Sequence, residues 1–529
     1  MDHKYKKFKG RPLAYFCAEY ALFDHDPLYA GGLGVLAGDY ILEMIEQNFP
    51  VVALGLFYHK NDVRGTPLSK ERKSPSELGL SLLKNPDDSI LKIQVKIKER
   101  IINVQVWSWK EKKSSIYLLD TQVPENSPGD WNISDTLYVD DRYLRLMQEI
   151  ILGLGGIKLL KKLNIKPSVY HLNEGHCAFM TFELIKQIIS EKKVSFAEAF
   201  TLAKRQIVFT NHTLVPAGQE MFDFEIVKSI FGDEYANLGL DEQNKMFSMT
   251  KLALSMSCKV NAVSKIHEKA AREQWLGYNV ESITNGINIS RWDSSTYYSH
   301  LEQKRKLLEL IRKNNNDISF NENSLLIGWA RRFVEYKRPL AIFGDILRLK
   351  ELAIRENEKI NIVFSCPMNL TYEKENTFMR EFNALMNKDF KGIVAFIPNY
   401  DIEIAKLMVC GCDVWLNTPI VGYEACGTSG MKACLNGALP LTTSDGWVDE
   451  VDLKSIGWVV ADNNIDSSIS KNLLDKIENE IVPEYYDDKN RWDEKMRNAR
   501  DLIIKKFSTK RMLDEYVEKL YEPILKLYP

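Results

Sequence analysis

Lys432 lies within "EACGTSGMKACLNGALPLTTSDGWVDE" (424–450), where glycine, alanine, serine and threonine crowd a single long cation. Burying an uncompensated ammonium is costly, so a lysine held among small residues calls for a carboxylate, a phosphate, or an aldehyde that removes the charge covalently. A structural ion pair with Glu424, earlier in the same stretch, meets the requirement equally well. A second cluster, "ARRFVEYKRP" (330–339), puts Arg331, Arg332, Lys337 and Arg338 just beyond an apolar run. Guanidinium and ammonium groups together suit a doubly charged oxyanion such as phosphate. A solvated helix start is the plainer alternative, but four cations at a helix N-terminus oppose the macrodipole, and a bound anion relieves that conflict.

Three of the eight histidines fall in two short polar stretches. "HLNEGHCAF" (171–179) carries His171, Asn173, Glu174 and His176, and "FTNHT" (209–213) carries Asn211 and His212. Such groups at strand ends hydrogen-bond a polyhydroxylated ligand, although each histidine also has a plain role in satisfying local backbone groups. No third ligand stands at metal-site spacing, so no metal is expected. "YAGGLGVLAGDY" (29–40) sets Gly31, Gly32 and Gly34 ahead of a helical pattern, with amides able to meet a phosphate. Its spacing fits neither the Walker nor the dinucleotide fingerprint, and alone it reads as a tight structural turn. "NGINISRW" (285–292) offers Asn285, in a stretch that an ordinary Asn-Gly turn explains too.

Short apolar runs alternating with helical patterns must position these groups, which predicts βαβ units and parallel sheets. In the first half "LAYFC" (13–17), "VVALGLFY" (51–58), "SVYHL" (168–172), "QIVFT" (206–210) and "KVNAV" (259–263) read as strands. "KIQVKI" and "INVQVW", near residues 92–107, predict an inserted antiparallel hairpin. "RKNNNDISFNEN" (312–323) reads as a domain connection, after which a second series begins. Its strands are "LLIGWA" (325–330), "INIVFS" (360–365), "IVAFIP" (393–398), "DVWLN" (413–417) and "ALPLTT" (438–443), with helix from about residue 465 onward. The fold class expected is α/β: two doubly wound Rossmann-like domains facing a cleft, with the chemistry at the carboxyl ends of both sheets. The expected division is residues 1–300, 301–505, and a C-terminal helix, 506–529, returning to the first domain.

Composition narrows the class. A chain of 529 residues is too long for one core. Seventy basic against 72 acidic residues, net −2, give no attraction to nucleic acid or to an anionic membrane surface. The basic start lacks a secretory apolar segment, and no apolar run is long enough to span a bilayer. Eight cysteines without metal-site spacing read as reduced thiols, hence a cytoplasmic protein.

Taken in order, "GGLGVLAGD", "HLNEGHCAF", "FTNHTLVPAG", "ITNGINISRW", "ARRFVEYKR" and the stretch at 424–450 resemble the α-glucan phosphorylases, the family of glycogen and starch phosphorylase. "GTSGMKA" and the "DGWVDE" pattern are similar to its compact prokaryotic branch. The resemblance implies a GT-B glycosyltransferase fold and pyridoxal 5'-phosphate held as a Schiff base at Lys432, whose nitrogen can then be neutral. It places Gly31, Gly32, Thr428, Ser429 and Arg331 at the cofactor's phosphate and Tyr400 against the cofactor. It assigns Arg332 and Lys337 to the substrate orthophosphate, and His212, Asn285, Glu424, Ala425, Cys426 and Gly427 to the transferred glucosyl unit. Glu174 and His176 would face the neighbouring sugar.

The implied reaction is reversible, retaining phosphorolysis: an α-1,4-glucan plus phosphate gives glucose 1-phosphate and a glucan shortened by one unit. In this family the cofactor acts through its phosphate, whose second pKa of about 6 suits proton exchange near neutrality. The backbone carbonyl of His212 would support an oxocarbenium-like transition state. Family members are commonly homodimers. The nucleotide and phosphorylation control of the animal enzymes is not implied, because this sequence is shorter at its N-terminus and lacks several insertions. Cys426 replaces a serine, Ser429-Gly430 replaces Gly-Asn, Asp401 stands where the animal and plant enzymes carry an arginine, and the loop near "YVDDRY" (138–143) is shortened. Competing readings are a nucleotide-sugar-dependent glucan synthase of the same fold and an inactive glucan-binding protein. Lys432 within "GTSGMK" speaks against the first, and retention of Lys432, Arg332, Lys337 and His212 against the second.

Overall fold

The computed structural model describes residues 3–23, 28–60, 62, 63, 66, 67, 73–215, 218–294, 299–315, 318–367, 373–463 and 466–527. Pro216 and Ala217 of the "FTNHTLVPAG" stretch, and residues 316–317 of the polar run, therefore lie outside the described residues. The chain forms two compact units: Met1–Val263 with Glu268–Ile283 and Met512–Pro529, and Ser264–His267 with Thr284–Arg511.

The first unit is built on a ten-stranded sheet. Strands Leu13–Phe16, Val51–Leu56, Val169–Asn173 and Ile207–Thr210 are buried along their whole length. That is the burial a parallel sheet covered on both faces demands of Val, Ile and Leu runs. Leu13–Phe16 pairs in parallel with Val51–Leu56 on one side and Val169–Asn173 on the other, so the chain reverses its direction of winding there. The expected hairpin is present: Lys92–Ile97 pairs antiparallel with Arg100–Glu111 through a two-residue turn in which Lys98 has φ 54°. Its alternating burial marks an edge with one wet face. It joins the main sheet through Ser114–Asp120, a strand the sequence reading did not anticipate.

The C-terminal helical stretch from Met512 closes this unit. Tyr521 hydrogen-bonds His171 (2.7 Å) and Tyr40 (3.1 Å), while Tyr516 contacts Thr210 (3.1 Å) and Asn261 (3.0 Å). His171 is thereby a core residue, held between Tyr521 and Thr210. Burial first, then His212, lowers its pKa to about 3 and keeps it neutral.

The second unit carries six strands in parallel, and in order of appearance along the chain they lie 3-2-1-4-5-6 across the sheet. This is the Rossmann arrangement, with its switch point between strands Leu325–Ala330 and Val414–Asn417. The polar run at 312–323 does not connect the units. It ends helix His300–Asn314 and leads into Leu325, whereas the chain changes unit at Val263–Ser264, His267–Glu268, Ile283–Thr284 and Arg511–Met512. The polarity of that run reflects exposure at the surface of the second unit, which composition alone does not distinguish from a linker.

Candidate active site

In the second unit, Arg331 follows one of the two strands that flank the switch point and Asn417 closes the other. Arg331 donates to the Asn417 side chain from Nη1 and to Ser429 Oγ (3.3 Å) from Nη2. Its Nη1 also lies 3.4 Å from Glu424 Oε2, and Lys337 Nζ reaches the same oxygen at 3.8 Å. Burial alone would raise the pKa of Glu424, but Lys337 and Arg331 overcome it and hold the carboxyl below its usual range. A Cβ at Gly427 would meet Glu424 Oε1 at 2.1 Å, so any larger residue there would push the Glu424 side chain out of its present position.

Lys432 is 94% buried, on helix Ser429–Leu435 one turn beyond Ser429, so the two share a face. Its Nζ lies 4.1 Å from the centroid of the Trp292 ring, an indole brought in by the "NGINISRW" stretch. The opening alternative of a Lys432–Glu424 ion pair does not describe this site, where Glu424 faces Arg331 and Lys337. The loop before the helix is tied down through its carbonyls: Ser264 Oγ donates to Ala425 O (2.5 Å) and Asn285 Nδ2 to Cys426 O (3.2 Å). Burial pushes the Cys426 thiol well up, so this departure from serine leaves a neutral group.

Two expectations about the cationic stretch need correction. Residues 331–339 form a loop with one 3-10 turn, Glu335–Lys337, and the next α-helix begins only at Ile346, so the cations do not crowd a helix N-terminus. Arg338 leaves the cluster altogether: with φ 46° it turns to a two-pronged pair with Asp462 at 2.7 and 3.2 Å. Arg332 is exposed at the strand end. Tyr400 is half-buried, and burial raises its pKa against the opposing pull of Arg331. Asp401 has a local reason: it caps helix Ile402–Gly411 by accepting from Ile404 N (2.8 Å).

In the first unit, Glu174 and His212 sit just past the ends of two adjacent parallel strands. Glu174 Oε2 accepts from His212 N (2.7 Å), and Oε1 from Asn211 Nδ2 and Gly175 N, both 3.2 Å. The His212 ring meets Asn173 Oδ1 at 2.6 Å. Glu174 holds φ 74°, a strained backbone for a side-chain-bearing residue and one concentrated at functional sites. Burial raises its pKa to about 7 despite the three amides it accepts. A folded pKa raised from 4.5 gives stability that is complete below 4.5 and lost as pH climbs through 7. Glu174→Gln should therefore gain on the wild type by about 3 kcal/mol between pH 5 and pH 8, read from urea midpoints at both values. Parallel pH dependences of the two proteins would contradict it.

His176 is buried against the Tyr138 ring, and its Nδ1 has no hydrogen-bond partner among the described residues. Burial, then Arg145, lowers its pKa to about 3. Glu149, His176 and Glu220 bring ligand-type atoms within 4.8 Å of one another. Arg145 stands among them, 3.1 Å from Glu149 Oε1 and 3.2 Å from Glu220 Oε2, and Arg142 also pairs with Glu220. Two guanidinium groups already balance these carboxylates, so the cluster is an ion-pair network.

Gly31 and Gly32 are exposed at the start of helix Gly32–Glu46. The Ala30 and Gly31 amides donate to Glu19 Oε2 at 2.7 and 3.2 Å, a carboxylate the sequence reading passed over. A Cβ at Gly31 or Gly32 would meet nothing within 4 Å, so the chain itself does not require glycine at either position. Glu19, Asn417, Trp292 and Arg145 were not anticipated as site residues. Only Asn417 had a signal, as a polar residue closing an apolar strand.

Two sheet units of Rossmann type, each with polar groups at its strand ends, define a chain of the GT-B class. The sequence profile of the carbohydrate phosphorylase family matches residues 131–238 and 293–457. A maltodextrin phosphorylase of Thermococcus litoralis is 35% identical, over 97% of this chain and 71% of its own. A glycogen phosphorylase of Aquifex aeolicus is 30% identical, over 99% and 88%. An uncharacterized protein of Methanocaldococcus jannaschii, 30% identical, is covered along 100% of its length. This chain belongs to the carbohydrate phosphorylase family. Among the described residues no helix is long and apolar enough to cross a membrane.

Proposed function

We propose that this protein is a retaining α-glucan phosphorylase, converting an α-1,4-glucan and phosphate to glucose 1-phosphate and a glucan shortened by one unit. The observation that carries the reading is the convergence of Arg331 and Lys337 on one oxygen of Glu424, beside a buried lysine on the helix that presents Ser429. A sugar-binding module has no use for that concentration of positive charge; a site handling phosphate does.

The residues fit pyridoxal 5'-phosphate. Arg331 Nε is buried with no hydrogen-bond partner among the described residues, as is the Thr418 hydroxyl, and both lie beside strand ends at the switch point. Lys432 would hold the cofactor's aldehyde carbon, with Arg331, Thr428 and Ser429 at its phosphate and Tyr400 against it. Gly31 and Gly32, which nothing in the chain requires to be glycine, suit the close approach of a phosphate oxygen to a backbone. When bound, the cofactor supplies a phosphate that exchanges a proton near neutral pH.

The chain's own groups do the rest. Arg332 and Lys337 hold the substrate phosphate; Glu424, fixed as an anion by its two cations, accepts hydrogen bonds from sugar hydroxyls. Asn285 and the backbone of Ala425, Cys426 and Gly427 orient the transferred glucosyl unit. The His212 carbonyl would support the developing positive charge, and Glu174 with His176 would meet the adjoining sugar. With its pKa at about 7, Glu174 can donate or accept there. The eight cysteines, none of them in a disulfide, support a cytoplasmic location, and we infer α-glucan and inorganic phosphate as its partners. Chain elongation discriminates the rival synthase: a maltooligosaccharide should grow with glucose 1-phosphate and not with a nucleotide-activated glucose. Growth with the nucleotide sugar alone would overturn the reading.

A further inference from the structure

The "SDGW" turn that follows strand Leu439–Thr442 carries no role in the reaction above, yet its carboxylate is built into the site. Asp445 Oδ2 accepts two backbone amides of the neighbouring loop, Gly422 N and Glu424 N, each at 3.0 Å. Its other oxygen accepts from Gly446 N (2.9 Å). Gly446 has φ 60° and lies flat on the same loop: a Cβ there would sit 3.1 Å from Cys426 Cα, 3.4 Å from Glu424 O and 3.5 Å from Ala425 O. A single oxygen thus brackets the turn that delivers Glu424, and a glycine closes the other side. The loop between Asn417 and Ser429 has no helix or strand of its own to fix it.

We propose that Asp445 is a positioning residue, whose carboxylate sets the backbone at 422–426 and so places the Glu424 carboxylate against Arg331 and Lys337. The inference rests on the phosphorylase reading for its catalytic consequence. Amide donors held by a full negative charge are roughly twice as strong as those held by a neutral oxygen. Neutralising Asp445 therefore loosens the bracket, and asparagine, though equal in size, keeps one acceptor oxygen for the three amides. The charged groups around it are Glu424, facing it from the loop; Arg331 and Lys337, which contact Glu424; and Asp449 and Glu450 on its own turn. Burial first, and Glu424 second among the groups that oppose the charge, raise its pKa to about 6, so it changes charge between pH 5 and pH 8.

The test compares Asp445→Asn with the wild-type holoenzyme from pH 5 to pH 8, as the ratio of kcat/KM for phosphate-dependent glucan shortening. Taking the ratio cancels titration of the substrate phosphate and of the cofactor. The variant should fall about tenfold below wild type at pH 8, as the loss of charged hydrogen bonds predicts. The gap should narrow severalfold towards pH 5, where wild-type Asp445 is itself protonated, while pyridoxal phosphate content stays equal. A gap that is constant with pH, or no gap at all, would overturn the proposal. A second readout needs no activity: amide exchange in the peptide spanning 418–427 should be faster in the variant at pH 8. Unchanged exchange overturns the bracket. A wild type without phosphorolysis but with faster exchange in the variant would keep the bracket and reject the phosphorylase reading.

Discussion

Lys432→Ala should yield a folded protein without pyridoxal phosphate absorbance and with turnover reduced by about 10²–10⁴-fold or more, the contribution of a positioned proton-exchanging group. The expectation follows from where the lysine sits. At 6% exposure it has little access to water, and its Nζ lies 4.1 Å from the centroid of the Trp292 ring. A covalent bond to an aldehyde removes the need to bury the charge at all. Truncation deletes that attachment and leaves the helix intact, since alanine is the best helix former. The melting temperature should therefore hold while the absorbance and the activity disappear. Retained activity at wild-type level would remove Lys432 from the site.

Arg332→Ala is expected to behave differently: full cofactor content, with the KM for phosphate raised about 10- to 100-fold. Loss of one charge-assisted hydrogen bond to an anion costs about 1.5–3 kcal/mol, which sets that range. Arg332 is exposed, so its removal should leave stability unchanged and the effect should lie in phosphate use alone. The neighbouring Arg331 offers the contrast. It is buried among Asn417, Ser429 and Glu424, and its truncation would strand the Glu424 carboxylate, so loss of cofactor and of stability should accompany loss of activity there. An Arg332 variant whose phosphate dependence matches wild type would exclude it from the phosphate site.

The contrast between these two arginines shows what the sequence could and could not tell. "LLIGWA" and "INIVFS" announce buried parallel strands because both faces are covered, and every residue in them but the half-buried Asn361 follows that demand. Ser114–Asp120 was missed because it opens on two serines after a lysine pair, and its partners lie on two different strands. The adjacent cations of 331–338 look alike in sequence. Only the fold sends Arg338 to Asp462, Arg331 into the switch point and Arg332 to the surface. Likewise the glycine turn at 31–32 reads, taken alone, as a tight structural turn, and only the fold shows the Ala30 and Gly31 amides donating to the Glu19 carboxylate. Pairings across a hundred residues or more leave no local pattern. Lys432 was conspicuous through its surroundings; Trp292, whose ring centroid lies 4.1 Å from its Nζ, was not.

The most direct measurement is phosphorus NMR of purified protein, with its pyridoxal phosphate content determined in the same sample, incubated with a maltooligosaccharide and inorganic phosphate. α-Glucose 1-phosphate should accumulate as the oligosaccharide shortens one unit at a time, in protein carrying one cofactor per chain. Shortening that releases free glucose without consuming phosphate, or no product from protein fully loaded with cofactor across a range of α-1,4-glucan lengths, would contradict the assignment.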